Sequence, residues 1–350
     1  MLCKLTRVII ASSIAVLSAC SSVAGLDRAA SIPNALPDRP TRPRSTSWHN
    51  VYLLNQPVFG EGYASVYAGS TSRVLYELKT GMTDADSIIF DPSGNAYVYN
   101  GPSGTNCIIV FAAQTRDRLY TINGGTHHLG APAIDKEGNL YVPIADQIFV
   151  YGSGSKKIAR KIKTDVSDPS SLAFDSENNL YVSNLGDPTV VEFAAGSNKV
   201  IRTLKLGDEN AYEIAIDASD NLYVLGSVGT NDYSITVFAS NATSPSTTIT
   251  DGLSRPHNMV FDSKGDLFVL NTSDITAYRS GANKPYVTFA RNTAAASSMA
   301  IDAANNLSVA YMQKGPFGVG SFKVYALESN KLLRKVSRDV NKPTGLAIGP

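Results

Sequence analysis

The chain has 350 residues, a formal net charge of +1, 17% charged side chains and three cysteines. A near-neutral balance argues against nucleic-acid binding, which draws on a strong basic excess. Cys3 and Cys20 both lie at the extreme N-terminus and leave Cys107 alone in an apolar run, so no disulfide framework is possible.

The first segment reads as a targeting signal. Lys4 and Arg7 precede an apolar run over residues 8–19, which is too short to span a bilayer but suits a signal h-region. It ends in Leu17-Ser18-Ala19-Cys20, which resembles the lipobox of bacterial lipoproteins. The alternative is an ordinary signal peptide with a chance cysteine. The resemblance implies cleavage before Cys20, a thioether-linked diacylglycerol and an N-acyl chain on that residue. More than one acyl chain makes anchoring stable. It also implies an extracytoplasmic, membrane-anchored protein. In a Gram-negative envelope Ser21 is compatible with outer-membrane sorting.

Residues 21–47 are rich in Ser, Pro and Arg and lack hydrophobic periodicity, as expected of a disordered tether. From residue 48 a different pattern begins. A segment of the form LAFDSENNLYVSN (172–184) recurs with small changes, its Asp at 91, 135, 175, 217, 262 and 302. The spacings are 44, 40, 42, 45 and 40. A period this long, with strand-like content, points to propeller blades. Three residues after each Asp stands Gly94, Gly138, Asn178, Asp220, Gly265 or Asn305. These residue types tolerate positive φ. Each copy therefore reads as an inner strand a, a tight turn set by the Asp, and a strand b. The same Asp row could be read as metal ligands, but turn chemistry accounts for it more simply.

Each repeat has two further strands. Strand c carries an aromatic in every blade: Tyr67, Phe111, Tyr151, Phe193, Phe238, Tyr278 and Tyr325. Strand d is often basic, as in KIARKI (157–162) and KVIRTLK (199–205), which fits an outer edge protected against pairing. An anion-binding rim is the alternative. Residues 50–55 match strand b with no strand a before them, and residues 345–350 match strand a with nothing after. The expected fold is all-β: a seven-bladed β-propeller over residues 48–350, its ring closed by the C-terminal strand completing the first blade.

The segments PSSLAFDSENNLYVSN and RPHNMVFDSKGDLFVLN resemble NHL repeats. Two features depart from that family: the segment after strand b lacks its usual Ala-Asp and Asn-Arg pairs, and strand d is more basic. The resemblance implies a propeller of a class that includes protein-binding scaffolds, metal-dependent lactonases and amidating lyases, so fold alone does not choose a function.

Candidate ligand-binding residues come from the positions four and five before each repeated Asp, expected to ring the channel mouth. Most are small or hydroxylic. The exceptions are Asp86, Tyr212, Glu213, His257 and Asn258. The resemblance to lactonases implies a divalent cation held by Glu213, Asn258 and Asp86 as an alternative to a purely structural polar mouth. His127, His128 and His257 do not share a repeat position, which disfavours a zinc site. No catalytic set stands out and no resident cofactor is expected. Long b–c loops carry Phe59, Tyr63 and Phe317 among glycines, a candidate surface for an envelope protein or glycan. The leading expectation is a monomeric, lipid-anchored binding propeller. The alternative is a metal-dependent lactonase or related hydrolase.

Overall fold

The computed structural model describes residues 50–57, 60–69, 71–101, 106–124, 131–290, 296–312 and 320–350. They form seven four-stranded antiparallel sheets. Each sheet is a blade with strand a innermost and strand d outermost. Blade 1 combines Pro343–Gly349 (a), Asn50–Asn55 (b), Gly62–Tyr67 (c) and Val74–Met82 (d). The inner strands of blades 2 to 7 follow in chain order: Ala85–Phe90, Ala133–Ile134, Pro169–Phe174, Asn210–Ile216, Asn258–Phe261 and Ala296–Ile301. The C-terminal strand pairs antiparallel with Asn50–Asn55, Leu346 opposite Leu53, so the two ends of the described domain meet in one sheet.

The strands are apolar on both faces because each blade is packed between two others. Seven buried clusters among the described residues each span one pair of neighbouring blades, blades 7 and 1 included. A strand-b aromatic often seats against the next blade's inner strand. Tyr52 meets Phe90 at 4.6 Å between centroids, Tyr141 meets Phe174 at 5.0 Å and Tyr223 meets Phe261 at 4.9 Å, all edge to face.

The repeated Asp is a turn residue. Asp91 Oδ1 accepts from the N–H groups of Ser93 and Asn95, both at 2.9 Å, while Oδ2 accepts from the Asn95 side-chain amide. Asp135, Asp217 and Asp302 repeat all of these bonds. The third residue after the Asp has φ between +57° and +84° in all six copies, which explains why only Gly, Asn and Asp stand there. The Asn after it reaches further. Asn95, Asn139, Asn179 and Asn221 each accept an N–H from the c–d turn of their own blade, tying the two hairpins together.

The basic outer strands divide into two kinds of residue. Arg160 and Arg202 turn inward: each donates to a strand-b tyrosine hydroxyl, Tyr141 at 2.7 Å and Tyr181 at 3.1 Å. Each also reaches the next blade's c–d turn, at Asn198 Oδ1 and the Ala242 carbonyl. Arg334 does the same across the closure, bonding the Ala68 and Thr71 carbonyls. The lysines of these strands stay exposed. Edge protection is supplied in good part by a β-bulge where strand d leaves strand c, present in every blade but the fifth.

Candidate functional site: the inner belt

Strand a is the inner edge of each blade, so alternate backbone groups face the channel with no ladder partner. A buried group of that kind needs a partner from elsewhere. Two rows of side chains supply it, and they are the rows that the sequence places at the channel mouth.

The upper row lies five residues before the repeated Asp. In blades 1, 2, 4, 5 and 7 this residue is bulged out of the a–b pairing: Thr344, Asp86, Ser170, Tyr212 and Ser297. In blades 1, 4 and 7 the bulge aims its side chain at the next blade. Ser170 donates to the Ala211 carbonyl and Ser297 to the Pro343 carbonyl, both at 2.8 Å, and Thr344 donates to the Ala85 carbonyl. His257 holds the same place against the Ala296 carbonyl, with Nδ1 3.4 Å from the Arg255 carbonyl. Burial pulls its imidazole below the usual histidine range.

The lower row lies one residue on and is buried in every blade but the third, where Ala131 is half-buried. Ser171 Oγ accepts from the Ile214 N–H at 3.3 Å, Glu213 Oε1 from the Met259 N–H at 3.4 Å, and Asn258 Oδ1 from the Met299 N–H at 3.1 Å. Each acceptor satisfies the inner edge of the blade that follows. Ser87 is the instructive exception. Its hydroxyl is buried and has no partner among the described residues, because the equivalent position in blade 3 is Pro132, which carries no N–H.

Glu213 and Asn258 are therefore brought together, as their equivalent repeat positions imply. Asn258 Nδ2 donates to Glu213 Oε1 at 3.3 Å, and both residues are 2% exposed. Glu213 Oε2 is buried without a hydrogen-bond partner among the described residues. Burial pushes the Glu213 carboxyl up to about 8, against the smaller opposing pull of the Met259 N–H and the Asn258 amide. A neutral acid is the form that such a site holds best.

Asp86 does not join them. It sits in blade 2, where burial and then the neighbouring Asp84 carboxylate push it up to about 7, offset in part by Lys342. Gly101 lies beneath it, and a Cβ there would collide with the Asp86 carboxylate. Tyr212 is half-buried and turns its hydroxyl to Ser227 Oγ at 2.9 Å. Of the three oxygen donors considered for a cation, two meet and the third lies apart. Among the described residues no group of three His, Cys, Asp or Glu is placed to hold a metal ion. Tyr63, expected on a long b–c loop, instead lies in strand c of blade 1 paired opposite Asn55; it is half-buried, and its hydroxyl accepts from Asn341 Nδ2 at 2.6 Å. Cys20, Phe59, Phe317, His127 and His128 lie outside the described residues.

Sequence reasoning passed over a further row. Asn55, Asn100 and Asn184 end strand b and Asn271 directly follows it, and each accepts an N–H from the connection that leads into its blade. The signal was present, since three of the six copies and the fragment 50–55 end in Asn. In blade 5 this Asn is Gly226, and Glu209 fills the vacated space, with Ser234 and Thr236 hydroxyls donating to its carboxylate.

At the opposite end of the ring, a cavity of about 190 Å³ opens between blades 6 and 7. It is lined by the a–b turn of blade 6 (Asp262, Lys264, Asp266), by Arg279 and Tyr286, and by Asn305 and Glu328 of blade 7. Blade 6 also carries Asp266 where other blades have Asn, and Arg279 compensates with an ion pair at 2.7 Å.

Comparison with known proteins adds no family: no family model matches the chain, and no curated protein matches it.

Proposed function

We propose that the chain is an envelope-tethered binding propeller of NHL-repeat type, a monomeric scaffold without catalytic activity. The observation that carries this reading is the commitment of the channel-mouth side chains to bonds between blades. Ser170, Ser171, Asn258, Ser297 and Thr344 hold the ring together, and groups spent in this way do not turn over a substrate. What varies is the loop set on the face where strand a begins. A rigid ring presenting variable loops is the arrangement by which scaffolds bind proteins or glycans. In this reading residues 1–20 are a lipoprotein signal, Cys20 bears the lipid, and residues 21–47 link it to the ring.

The test is capture of an envelope protein or glycan by residues 46–350, compared with the same domain lacking 313–319. Loss of capture on deletion, with unfolding unchanged, is expected. Equal capture by both would remove the loop face from the proposal. Labelling of the full chain with palmitate, abolished in Cys20→Ser, tests the anchor separately.

One observation favours a second reading, a hydrolase centred on Glu213. Glu213 Oε2 is buried and has no hydrogen-bond partner among the described residues, and an oxygen left over beside the Asn258 amide is one that a divalent ion would take. As a metal-dependent lactonase it would require a divalent ion in protein purified without chelator, lost in Glu213→Ala, together with lactone hydrolysis.

A further inference from the structure

We propose that the outer rim of blades 3 and 4 docks on an anionic phospholipid surface. The charge distribution is uneven. Residues 1–49 hold six of the 31 basic and two of the 30 acidic side chains, which leaves 25 against 28 in residues 50–350, a net charge of −3. Within that acidic ring, residues 152–163 carry Lys156, Lys157, Arg160, Lys161 and Lys163 and no acid. Residues 195–205 add Lys199, Arg202 and Lys205, again with no acid.

The two stretches form one surface. Asn198 accepts from Arg160 Nη1 at 3.1 Å and donates to the Lys161 carbonyl at 2.7 Å. Strand d of blade 3 (Ile158–Ile162) is thereby bonded to the turn that carries Lys199 and leads into strand d of blade 4 (Val200–Lys205). All six lysines are exposed. None forms an ion pair among the described residues. Ile158 and Ile201 stand between them, 46% and 47% exposed.

Edge protection does not account for this density. Strand d of blade 5 (Thr247–Ile249) and of blade 6 (Pro285–Phe289) contain no charged residue. The bulges that blunt the edge are already present in blades 3 and 4. The residue types point to lipid rather than to a shaped partner. The two arginines, whose forked guanidinium suits bidentate recognition, are turned inward and bonded to protein. What faces solvent is lysine, a hydrated point charge suited to a diffuse field of headgroups, with aliphatic side chains between to enter the interface. Docked on its rim, the ring leaves both of its faces free. This inference assumes only that a membrane is within reach, which the anchor reading supplies.

The experiment is co-sedimentation of residues 46–350 with phosphatidylcholine vesicles, with and without phosphatidylglycerol, at low and at physiological salt. The seven sheets and seven blade interfaces described all lie within residues 50–350, so the fragment carries the whole described ring, and a cooperative unfolding transition in the parent fragment and in each variant is checked first. Binding is expected only with phosphatidylglycerol and is expected to weaken with salt. One lysine near such a surface is worth roughly fivefold in partitioning. The variant Lys157→Glu/Lys161→Glu/Lys199→Glu/Lys205→Glu is therefore expected to lose at least roughly a hundredfold. The control Lys331→Glu/Lys335→Glu, across the ring on blade 7, is expected to stay within about twofold of the parent. No binding to anionic vesicles overturns the proposal, as does equal loss in the control. So does retention on a sulfated polysaccharide without vesicle binding, which would assign the rim to a soluble polyanion. Because the domain lacks Cys20, failure here leaves the palmitate result on the anchor untouched.

Discussion

Deletion of residues 342–350 is expected to abolish cooperative unfolding, leaving a chain that is aggregated or molten at neutral pH. The strand Pro343–Gly349 is the inner strand of blade 1 and borders two interfaces at once. Leu346, fully buried, belongs to the cluster between blades 7 and 1, and Ala347 to the cluster between blades 1 and 2. Asn50 Nδ2 and the Tyr52 hydroxyl both donate to the Pro350 carbonyl. Gly349 leaves room for the Phe90 and Tyr52 rings, into which a Cβ would project. Without the strand, the Asn50–Asn55 edge is bare and two apolar faces meet water. A domain's whole margin is about 5–15 kcal/mol, and loss of a central strand with two interfaces is of that order. The graded version is Leu346→Ala, expected to cost about 2–5 kcal/mol while the ring still closes. Urea denaturation followed by near-UV circular dichroism reads both. A truncated chain that unfolds at the wild-type midpoint would show that closure contributes little.

Glu213→Gln is expected to be more stable than wild type in alkaline buffer and less stable in acid. The folded carboxyl sits at about 8 against 4.5 for the free side chain. The folded state therefore binds the proton more tightly than the unfolded state does. Stability from the neutral form is complete below about pH 4.5 and is lost progressively as pH rises to about 8. The span corresponds to roughly 5 kcal/mol as an order of magnitude. Glutamine keeps the acceptor for the Met259 N–H and cannot ionise, but it places a buried amide where Oε2 now has no partner. That costs about 1–2 kcal/mol at every pH. The two stability–pH curves are therefore expected to cross between pH 5 and about 8. His257, whose pKa is lowered, contributes a slope of opposite sign at lower pH, and Asp86 one of the same sign. The difference between wild type and Glu213→Gln isolates Glu213. Parallel curves would mean that the buried carboxyl is rehydrated or bound to a cation in solution.

The hairpins are local, and they were legible. Asp91 and its counterparts bond backbone two and four residues on, and the positive-φ residue follows at a fixed offset. Such contacts need only a few consecutive residues, so composition at each repeat position carries them. The unpaired strand-b pattern at 50–55 and the spare strand-a pattern at 345–350 made closure legible too, because each of these two fragments supplies what the other lacks. Glu213 and Asn258 were found by repeat position, and the structure does bring them into contact.

What those positions do was decided by the tertiary structure. In sequence they read as a ring open to ligand. In the fold the bulges of blades 1, 4 and 7 turn Thr344, Ser170 and Ser297 onto the next blade's carbonyls, while Ser171, Glu213 and Asn258 are buried against its N–H groups. Neither partner is within 40 residues in the chain, and the register that joins them exists only once blades stack. The same holds for the inward arginines and outward lysines of strands d, whose directions depend on a bulge and on the neighbour's turn. Sequence by itself determined the repeat, its turns and the count of blades, since these rest on short-range backbone geometry. The roles of Glu213, Ser87 and the basic rim were set by contacts between blades, where burial and the presence or absence of a single N–H decide which polar group is left over.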